Sequence, residues 1–198
     1  MAVDTTVIDL IRHGEPEGGV MIRGSRDDPL SDMGWSQMWS AVGQAKPWHE
    51  IVSSPLSRCA AFARELGRHL ELSVHEERRF QEIGFGDWEG ADPVELYESV
   101  PEAVTNFWSD PAAHPPPGGE PFGQFQKRVV AALESVMENH RSRHVLVVCH
   151  GGVIRMLIAH VLGMPPVNMF RMEVPYAAVS RIQIQDGIAR LVFHCGKL

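Results

Sequence analysis

The sequence predicts an α/β fold: a three-layer α/β/α sandwich with a mostly parallel central sheet, helices on both faces and a small helical lid insertion. Two observations support this prediction. Short apolar, β-branched runs alternate with longer runs of helical periodicity up to about residue 162. Beyond that point, strand-like runs flank Asp186-Gly187, a dipeptide typical of hairpin turns, which predicts antiparallel strands near the C-terminus.

The predicted strands are short and either β-branched or continuously apolar, as expected for strands that are buried on both faces. TTVIDLI precedes a glycine-rich loop, EIVSS precedes an amphipathic helix, LSVH is the weakest of the set, and HVLVVC follows a long helix. These strands cover residues 5–11, 50–54, 72–75 and 144–149, and two or three more are expected after residue 168.

The predicted helices are recognised from the spacing of their apolar residues and from the signals at their ends. Ser31 is the expected N-cap of the first helix and Pro47 ends it, whereas DPAAHPPPGGEP predicts an irregular loop. The predicted helices cover residues 32–46, 57–70, 122–139 and 152–162, with two short pieces at 94–98 and 102–108.

Length and composition predict a single domain over residues 1–198, with the lid insertion at about 89–122. Hydrophobic residues make up 44% and charged residues 22% of the chain, as in an ordinary globular enzyme. The formal net charge of −7 argues against nucleic acid or an anionic membrane as a partner. A small anionic substrate remains compatible with this charge, because a few arginines can make a local cationic pocket.

The chain has no apolar run of bilayer-spanning length, and its N-terminus lacks the features of a signal peptide, so we expect a cytoplasmic protein. Cys59, Cys149 and Cys195 have spacings that suggest neither a disulfide framework nor a zinc site. We therefore expect no cofactor and no metal. The C-terminal strands allow a homodimer but do not require one.

Four reactive side chains follow predicted strands. His13 lies just past the first strand, Arg58 past the second, Glu82 past the third and His150 past the strand HVLVVC. In a parallel sheet, ligands bind beyond the carboxyl ends of the strands. The sequence thus predicts that these four groups meet at one edge of the sheet.

Such a group of side chains suits a phosphate monoester. The planar guanidinium groups of Arg12 and Arg58 match phosphate oxygens, and Gly14 lets backbone N–H groups approach an anion. A histidine such as His13 is a nucleophile when one ring nitrogen is unprotonated and the other is held, and nearby cations favour that neutral form. Glu82, beside Ile83, Phe85 and Trp88, is the candidate proton donor for the leaving alkoxide.

Several separate motifs, in this order, resemble the histidine phosphatase superfamily and its phosphoglycerate-mutase-like branch. They are LIRHGE, PLSDMGWSQ, SSPLSRCAAFA, EIGFGDWEG, GGEPFGQFQKRV and VVCHGGVIR. The resemblance implies His13 as the phosphorylated nucleophile, with Arg12, Arg58 and His150 around the phosphoryl group and Glu82 as proton donor. Gly14 and Gly151, which follow the two histidines, are assigned to phosphate binding. Glu15-Pro16 and Gly18-Gly19 depart from the common pattern, so the loop at the pocket mouth is expected to differ.

Lid residues bear on the choice between a phosphatase and a mutase. A mutase that acts on phosphoglycerates must hold a second anionic group, yet residues 89–126 contain no lysine or arginine. This favours hydrolysis of an ester with an uncharged, flat leaving group that rests on lid aromatics such as Trp88 and Trp108. EIGFGDWEG and FWSDPAAHPPPGGEP resemble the alpha-ribazole phosphatases of cobalamin biosynthesis.

Other interpretations stay open at this stage. A phosphoglycerate mutase, a broad-specificity sugar or nucleotide phosphatase and a silent phosphate-ligand binder share the same fold. Lid aromatics can equally serve packing, Glu120 can act as a helix cap rather than a substrate contact, and Arg155 is assigned structural support. Cys149 and Arg155 have the C-x5-R spacing of cysteine-dependent phosphatases, but that mechanism leaves His13 without a task. A metal site on His13 and His150 lacks a third ligand at fixed spacing.

Overall fold

The computed structural model describes residues 5–198, which form six strands and six α-helices together with short 3-10 turns. The strands are β1 (Thr5–Arg12), β2 (Glu50–Ser53), β3 (Val74–Glu76), β4 (His144–Cys149), β5 (Val179–Gln185) and β6 (Ile188–Gly196). The α-helices are α1 (Asp32–Val42), α2 (Ser57–Leu70), α3 (Pro93–Ser99), α4 (Pro101–Ser109), α5 (Phe122–Asn139) and α6 (Gly151–Val161).

All six strands belong to one sheet with the order β3-β2-β4-β1-β5-β6. The first four strands in this order are parallel to one another, whereas β5 runs antiparallel to β1 and β6 antiparallel to β5. Asp186 and Gly187 join the last two strands with φ angles of 53° and 77°, the left-handed values that a tight hairpin turn requires. The predicted mixed sheet and its C-terminal hairpin are confirmed.

Helices cover both faces of the sheet. Ile8 and Leu10 of β1 pack in one apolar cluster with residues of α5 and α6, and Ile11 packs in a second cluster with residues of α1 and α2. Alternation along the strand thus sends side chains of β1 to two different cores, which makes β1 the centre of a three-layer sandwich. This confirms the predicted α/β/α arrangement.

Several predicted element boundaries differ from the structure. The first helix was expected to reach Lys46 but ends at Val42, because Gly43 adopts a φ of 51° and donates its N–H to the carbonyl of Trp39. Ser31 is its N-cap as predicted, since its side chain accepts from the N–H of Gly34. The edge strand β3 has only three residues, and α6 starts at Gly151, one residue before the predicted start.

The segment between β3 and α5 carries α3 and α4, which each begin with a proline, as helices tolerate at their first turn. Phe107 of α4 is buried and packs edge-on against Trp88 and Phe85, with ring centroids 5.6 and 5.8 Å apart. Aromatic contacts therefore anchor this small helical segment to the rest of the molecule.

Among the described residues, no helix has the length and apolar character needed to cross a membrane.

Asp9 lies in the middle of β1 with its side chain fully buried. Its carboxylate accepts hydrogen bonds from Nε1 of Trp48 at 2.9 Å, from Nε of Arg181 at 2.7 Å and from the His144 ring at 2.8 Å. Burial by itself would raise the pKa of Asp9, but these three hydrogen bonds outweigh it and hold the pKa below its usual value. The network joins β1, β4 and β5.

We predict that Asp9→Asn destabilises the protein by about 3 kcal/mol at pH 7, because it leaves buried donors poorly matched. Since the pKa is lowered in the folded state, the stabilisation is present above the unfolded pKa of about 3.9 and is lost as the pH falls through the folded pKa. Urea unfolding of wild type and variant from pH 7 downwards measures this difference. Asp186→Asn, in the exposed hairpin turn, is the control, and a difference that stays constant into acid contradicts the prediction.

Candidate active site

His13 and His150 follow two neighbouring parallel strands. The register pairs Arg12 with Cys149, the last residues of β1 and β4, and the backbone N–H of His13 donates to the carbonyl of Cys149 at 3.0 Å. The two imidazole rings therefore lie side by side, with centroids 5.2 Å apart in an edge-to-face arrangement. The sequence predicted that His13 and His150 lie close together, and the parallel pairing of β1 with β4 brings them together.

His13 is held with a defined tautomer. Its Nδ1 lies 2.7 Å from the carbonyl oxygen of Gly14, and since a carbonyl only accepts, Nδ1 carries the proton and Nε2 the lone pair. Only 5% of His13 is exposed. A Cβ on Gly14 would lie 2.2 Å from the carbonyl oxygen of Gly34, so glycine is required where the loop crosses α1.

Both imidazoles are kept neutral by their surroundings. Burial lowers the pKa of His13 well below its ordinary value, and the positive charges of Arg58 and Arg12 lower it further. Burial likewise lowers the pKa of His150, with Arg58 and His13 as the next causes. An imidazole that is neutral and has an unprotonated Nε2 can act as a nucleophile, and the local electrostatics favour that form of His13.

Arg58 occupies the first turn of α2 and is completely buried. Its Nη1 donates to the carbonyl of Arg26 at 2.6 Å and its Nη2 to the carbonyl of Gly24 at 2.8 Å. That loop is in turn held by the carboxylate of Glu89, which accepts from the backbone N–H groups of Ser25 and Arg26 at 2.8 and 2.6 Å. Glu89 therefore stabilises the loop whose carbonyl groups bind Arg58.

Arg12 approaches the same place from the end of β1. Its Nη1 donates to the carbonyl of Val174 at 2.6 Å, and its guanidinium lies 4.2 Å from the centre of the Tyr176 ring. Among the described residues, the buried Nε atoms of Arg12 and Arg58 have no hydrogen-bond partner. Two cationic donors beside His13 thus keep unused hydrogen-bonding capacity, an arrangement that suits the oxygens of an anion.

Glu82 reaches the site from the loop after β3 and is almost completely buried. Its carboxylate accepts the backbone N–H of Gly152 at 2.8 Å and that of Ile83 at 3.0 Å. A Cβ on Gly152 would lie 2.3 Å from a Glu82 oxygen, so this contact depends on glycine in the first turn of α6. The chain therefore brings Glu82 to the N-terminus of the helix that follows His150.

A cleft of about 270 Å³ opens next to these groups. Arg12, His13, Glu82 and Gly151 form its polar end, whereas Arg58 and His150 lie buried beside His13 and do not line it. The remaining wall is largely apolar and consists of Met21, Ile22, Ile83, Phe85, Pro93, Leu96, Val104, Trp108, Phe170 and Tyr176, together with Arg23, Gly152 and Arg155.

Of the three residues assigned to the lid, only Trp108 lines the cleft. Trp108 lines the cleft, is 45% exposed and meets Phe170 edge-on, with centroids 4.7 Å apart. Trp88 is buried against Phe107 and does not line the cleft. Glu120 forms an ion pair with Arg128 at 2.6 Å and accepts the N–H of Gly84 at 3.3 Å, which is a structural contact rather than a cleft position.

Sequence reasoning missed several residues of the cleft. Arg23 and Arg155 bring positive charge from outside the lid, so the lack of lysine and arginine in residues 89–126 does not leave the cleft without cations. Arg155 was assigned structural support; its Nε does donate to the carbonyl of Met172 at 2.7 Å, but the residue also lines the cleft. Its spacing of four from Gly151 on one helix was a usable signal. No local signal marks Tyr176.

Cys149 is the last residue of β4, and its side chain is buried in the apolar core. Burial raises the pKa of its thiol well above the ordinary value, and a reactive cysteine needs the opposite shift. The geometry therefore disfavours the cysteine-dependent phosphatase alternative.

We predict that both His13 and His150 stay neutral at pH 6.5, where a free histidine is about half protonated. A lowered pKa means that the proton is taken up only at lower pH, so both rings should retain neutral nitrogen shifts there. Long-range proton–nitrogen NMR of the histidine side chains measures this, with free histidine at the same pH as the reference. Protonation of either ring at pH 6.5 would count against the prediction.

Comparison with known proteins agrees with this geometry. The sequence model of the histidine phosphatase superfamily (branch 1) matches residues 8–195. The adenosylcobalamin/alpha-ribazole phosphatase of Salmonella typhimurium is 30% identical over 193 residues, 92% of each chain. The glucosyl-3-phosphoglycerate phosphatase of Mycolicibacterium vanbaalenii is 32% identical over 171 residues, 80% of this chain and 75% of the relative.

Solved structures give the same result at the level of the fold. The crystal structure of the alpha-ribazole phosphatase from Shigella flexneri superposes with a TM-score of 0.83 at 28% identity and covers 96% of each chain. A mycobacterial glucosyl-3-phosphoglycerate phosphatase superposes with a TM-score of 0.85 at 26% identity, over 98% of this chain and 100% of that one. The resemblance seen in the sequence motifs is thereby confirmed. This chain belongs to the histidine phosphatase superfamily.

Proposed function

We propose that this protein is a metal-independent phosphatase that hydrolyses a small phosphate monoester through a phosphohistidine on His13. The observation that carries the proposal is the fixed tautomer of His13, which lines the cleft and lies beside two guanidinium groups whose buried Nε atoms have no hydrogen-bond partner. Membership of the histidine phosphatase superfamily supports the same chemistry.

In the first step, the lone pair on Nε2 of His13 forms a bond to phosphorus while the ester P–O bond breaks. Its electrons go to the leaving oxygen, which takes a proton from Glu82 and departs as an alcohol. In the second step Glu82, now a carboxylate, takes a proton from a water molecule. The hydroxide oxygen attacks phosphorus, and the P–N bond breaks. His13 recovers its lone pair and phosphate leaves.

Arg12, Arg58 and His150 hold the phosphoryl oxygens during both steps. The two unused Nε donors satisfy oxygens of the group in transfer, and fixed positive charge in a water-poor site stabilises its developing negative charge. Gly151 begins α6 beside Arg12, where backbone N–H groups at the start of a helix favour an anion. Arg12 and Gly151 already line the cleft before substrate arrives, whereas the buried Arg58 and His150 come into contact with the phosphoryl group through small side-chain movements.

For the substrate, we propose an ester with a flat, largely apolar leaving group, with alpha-ribazole 5′-phosphate as the first candidate. The apolar wall around Trp108 and Phe170 supports this choice, and so do relatives named as alpha-ribazole phosphatases. Arg155 adds donors for oxygens of the leaving group next to the phosphate. We also propose that residues 1–198 form one cytoplasmic domain, with 89–122 as its lid, and that nucleic acid is not a partner.

We predict that His13→Ala abolishes turnover of a generic aryl phosphate, because no other group can accept the phosphoryl group. Cys149→Ser is the matched control and should retain most activity, since the thiol takes no part in the mechanism. Both are assayed in excess chelator by release of inorganic phosphate. Loss of wild-type activity under chelation, or the reverse pattern of the two variants, would refute the proposed chemistry; a protein without turnover would instead be a phosphate-ligand binder.

We predict that Trp108→Ala lowers kcat/KM for alpha-ribazole phosphate by about 10-fold through loss of ring stacking, with little effect on glycerol phosphate. Tyr97→Ala is the matched control, because Tyr97 is an exposed aromatic on α3 that does not line the cleft. A panel with sugar phosphates, nucleotides and phosphoserine compares substrates. Equal losses on both esters would argue against a stacking role, and rapid isomerisation of a phosphoglycerate with its bisphosphate primer would favour a mutase.

A further inference from the structure

His150 contacts a buried hydroxyl group that no step of the proposed mechanism uses. Nε2 of His150 lies 2.7 Å from Oγ of Ser54, and neither residue has any exposed surface. Ser54 directly follows β2, and its backbone N–H donates to the carbonyl of Val148 in the neighbouring strand β4 at 2.9 Å. The hydroxyl is therefore fixed relative to His150 by the pairing of β2 with β4.

A hydroxyl holds an imidazole differently from a carbonyl. The Gly14 carbonyl can only accept, which fixes His13 in one tautomer, whereas the Ser54 hydroxyl can donate or accept. When the hydroxyl donates to Nε2 of a neutral His150, the ring proton lies on Nδ1. Opposite a protonated His150 it accepts from Nε2, and Nδ1 still carries a proton. In these two states Nδ1 is a donor.

The other neighbours of His150 do not favour one tautomer over the other. The sulfur of Cys59 lies 3.8 Å from Nδ1 and 3.7 Å from Nε2, so it is nearly equidistant from both nitrogens. The Ser54 oxygen has a second contact with the N–H of Leu56 at 3.4 Å, which leaves the hydroxyl hydrogen for His150. The charged groups that act on His150 are Arg58 of α2, Arg12 of β1 and Arg128 of α5, with His13 as the neighbouring titratable ring.

We propose that Ser54 is a positioning residue that keeps Nδ1 of His150 protonated, so that His150 donates a hydrogen bond to the phosphoryl group whether its ring is neutral or charged. The catalytic consequence rests on the proposed function, but the tautomer of His150 does not. A dianionic phosphoryl group favours the charged ring, and the hydroxyl follows that change by rotating, without movement of the backbone.

The test compares Ser54→Ala with Ser53→Ala. Ser53 is the matched control because its hydroxyl is also completely buried but donates to the carbonyl of Ser54 at 2.9 Å and does not contact His150. We expect kcat for an aryl phosphate to fall about 10- to 100-fold in Ser54→Ala, the loss typical of one hydrogen bond to a charged group, with a smaller change in KM. Ser53→Ala should stay within about twofold of wild type.

Side-chain nitrogen NMR gives a readout that does not depend on activity. Wild type and Ser53→Ala should show His150 with its proton on Nδ1, and Ser54→Ala should show a mixture of both tautomers. Retention of the Nδ1 tautomer in Ser54→Ala, or an equal loss of kcat in both serine variants, overturns the proposal. Absence of turnover in wild type would refute the proposed function, whereas the tautomer comparison would still decide the role of Ser54.

Discussion

The parallel pairing of β1 with β4 is the constraint on which the site depends. It places His13 and His150 side by side at the carboxyl ends of adjacent strands and buries both rings next to Arg12 and Arg58. Two imidazoles in such a place stay neutral, because a further positive charge would have to be desolvated beside existing ones. The fold thus favours a neutral His13 with an unprotonated Nε2, the form that the proposed mechanism requires.

Close backbone approaches make this burial feasible. Gly14 packs against the backbone of Gly34, and Gly152 leaves room for the carboxylate of Glu82, so strand ends, helix starts and loops meet without intervening side chains. The guanidinium of Arg58 is held by loop carbonyls rather than by a carboxylate. Its full charge therefore remains available to the cleft instead of being neutralised by an ion pair.

The two histidines show how different acceptors give different chemistry to the same side chain. A backbone carbonyl gives His13 a single tautomer, whereas the Ser54 hydroxyl, which can donate or accept, is compatible with either a neutral or a protonated His150. The cleft is also divided: Arg12, His13, Glu82 and Gly151 form its polar end, and its wall at Trp108 and Phe170 is apolar. In the proposed function the polar end binds the phosphate group common to all monoesters, so the apolar wall determines selectivity among esters.

By itself, the sequence determined the order of strands and helices along the chain and the positions of His13, Arg58, Glu82 and His150 after strands, because hydrophobic periodicity and turn residues are local signals. Only the tertiary structure decided that Trp88 and Glu120 lie away from the cleft, and that Arg23, Tyr176 and Ser54 belong to the site. These residues come from elements distant in the chain. Which of them meet depends on sheet order and on loop packing, for which a single sequence carries no periodic signal.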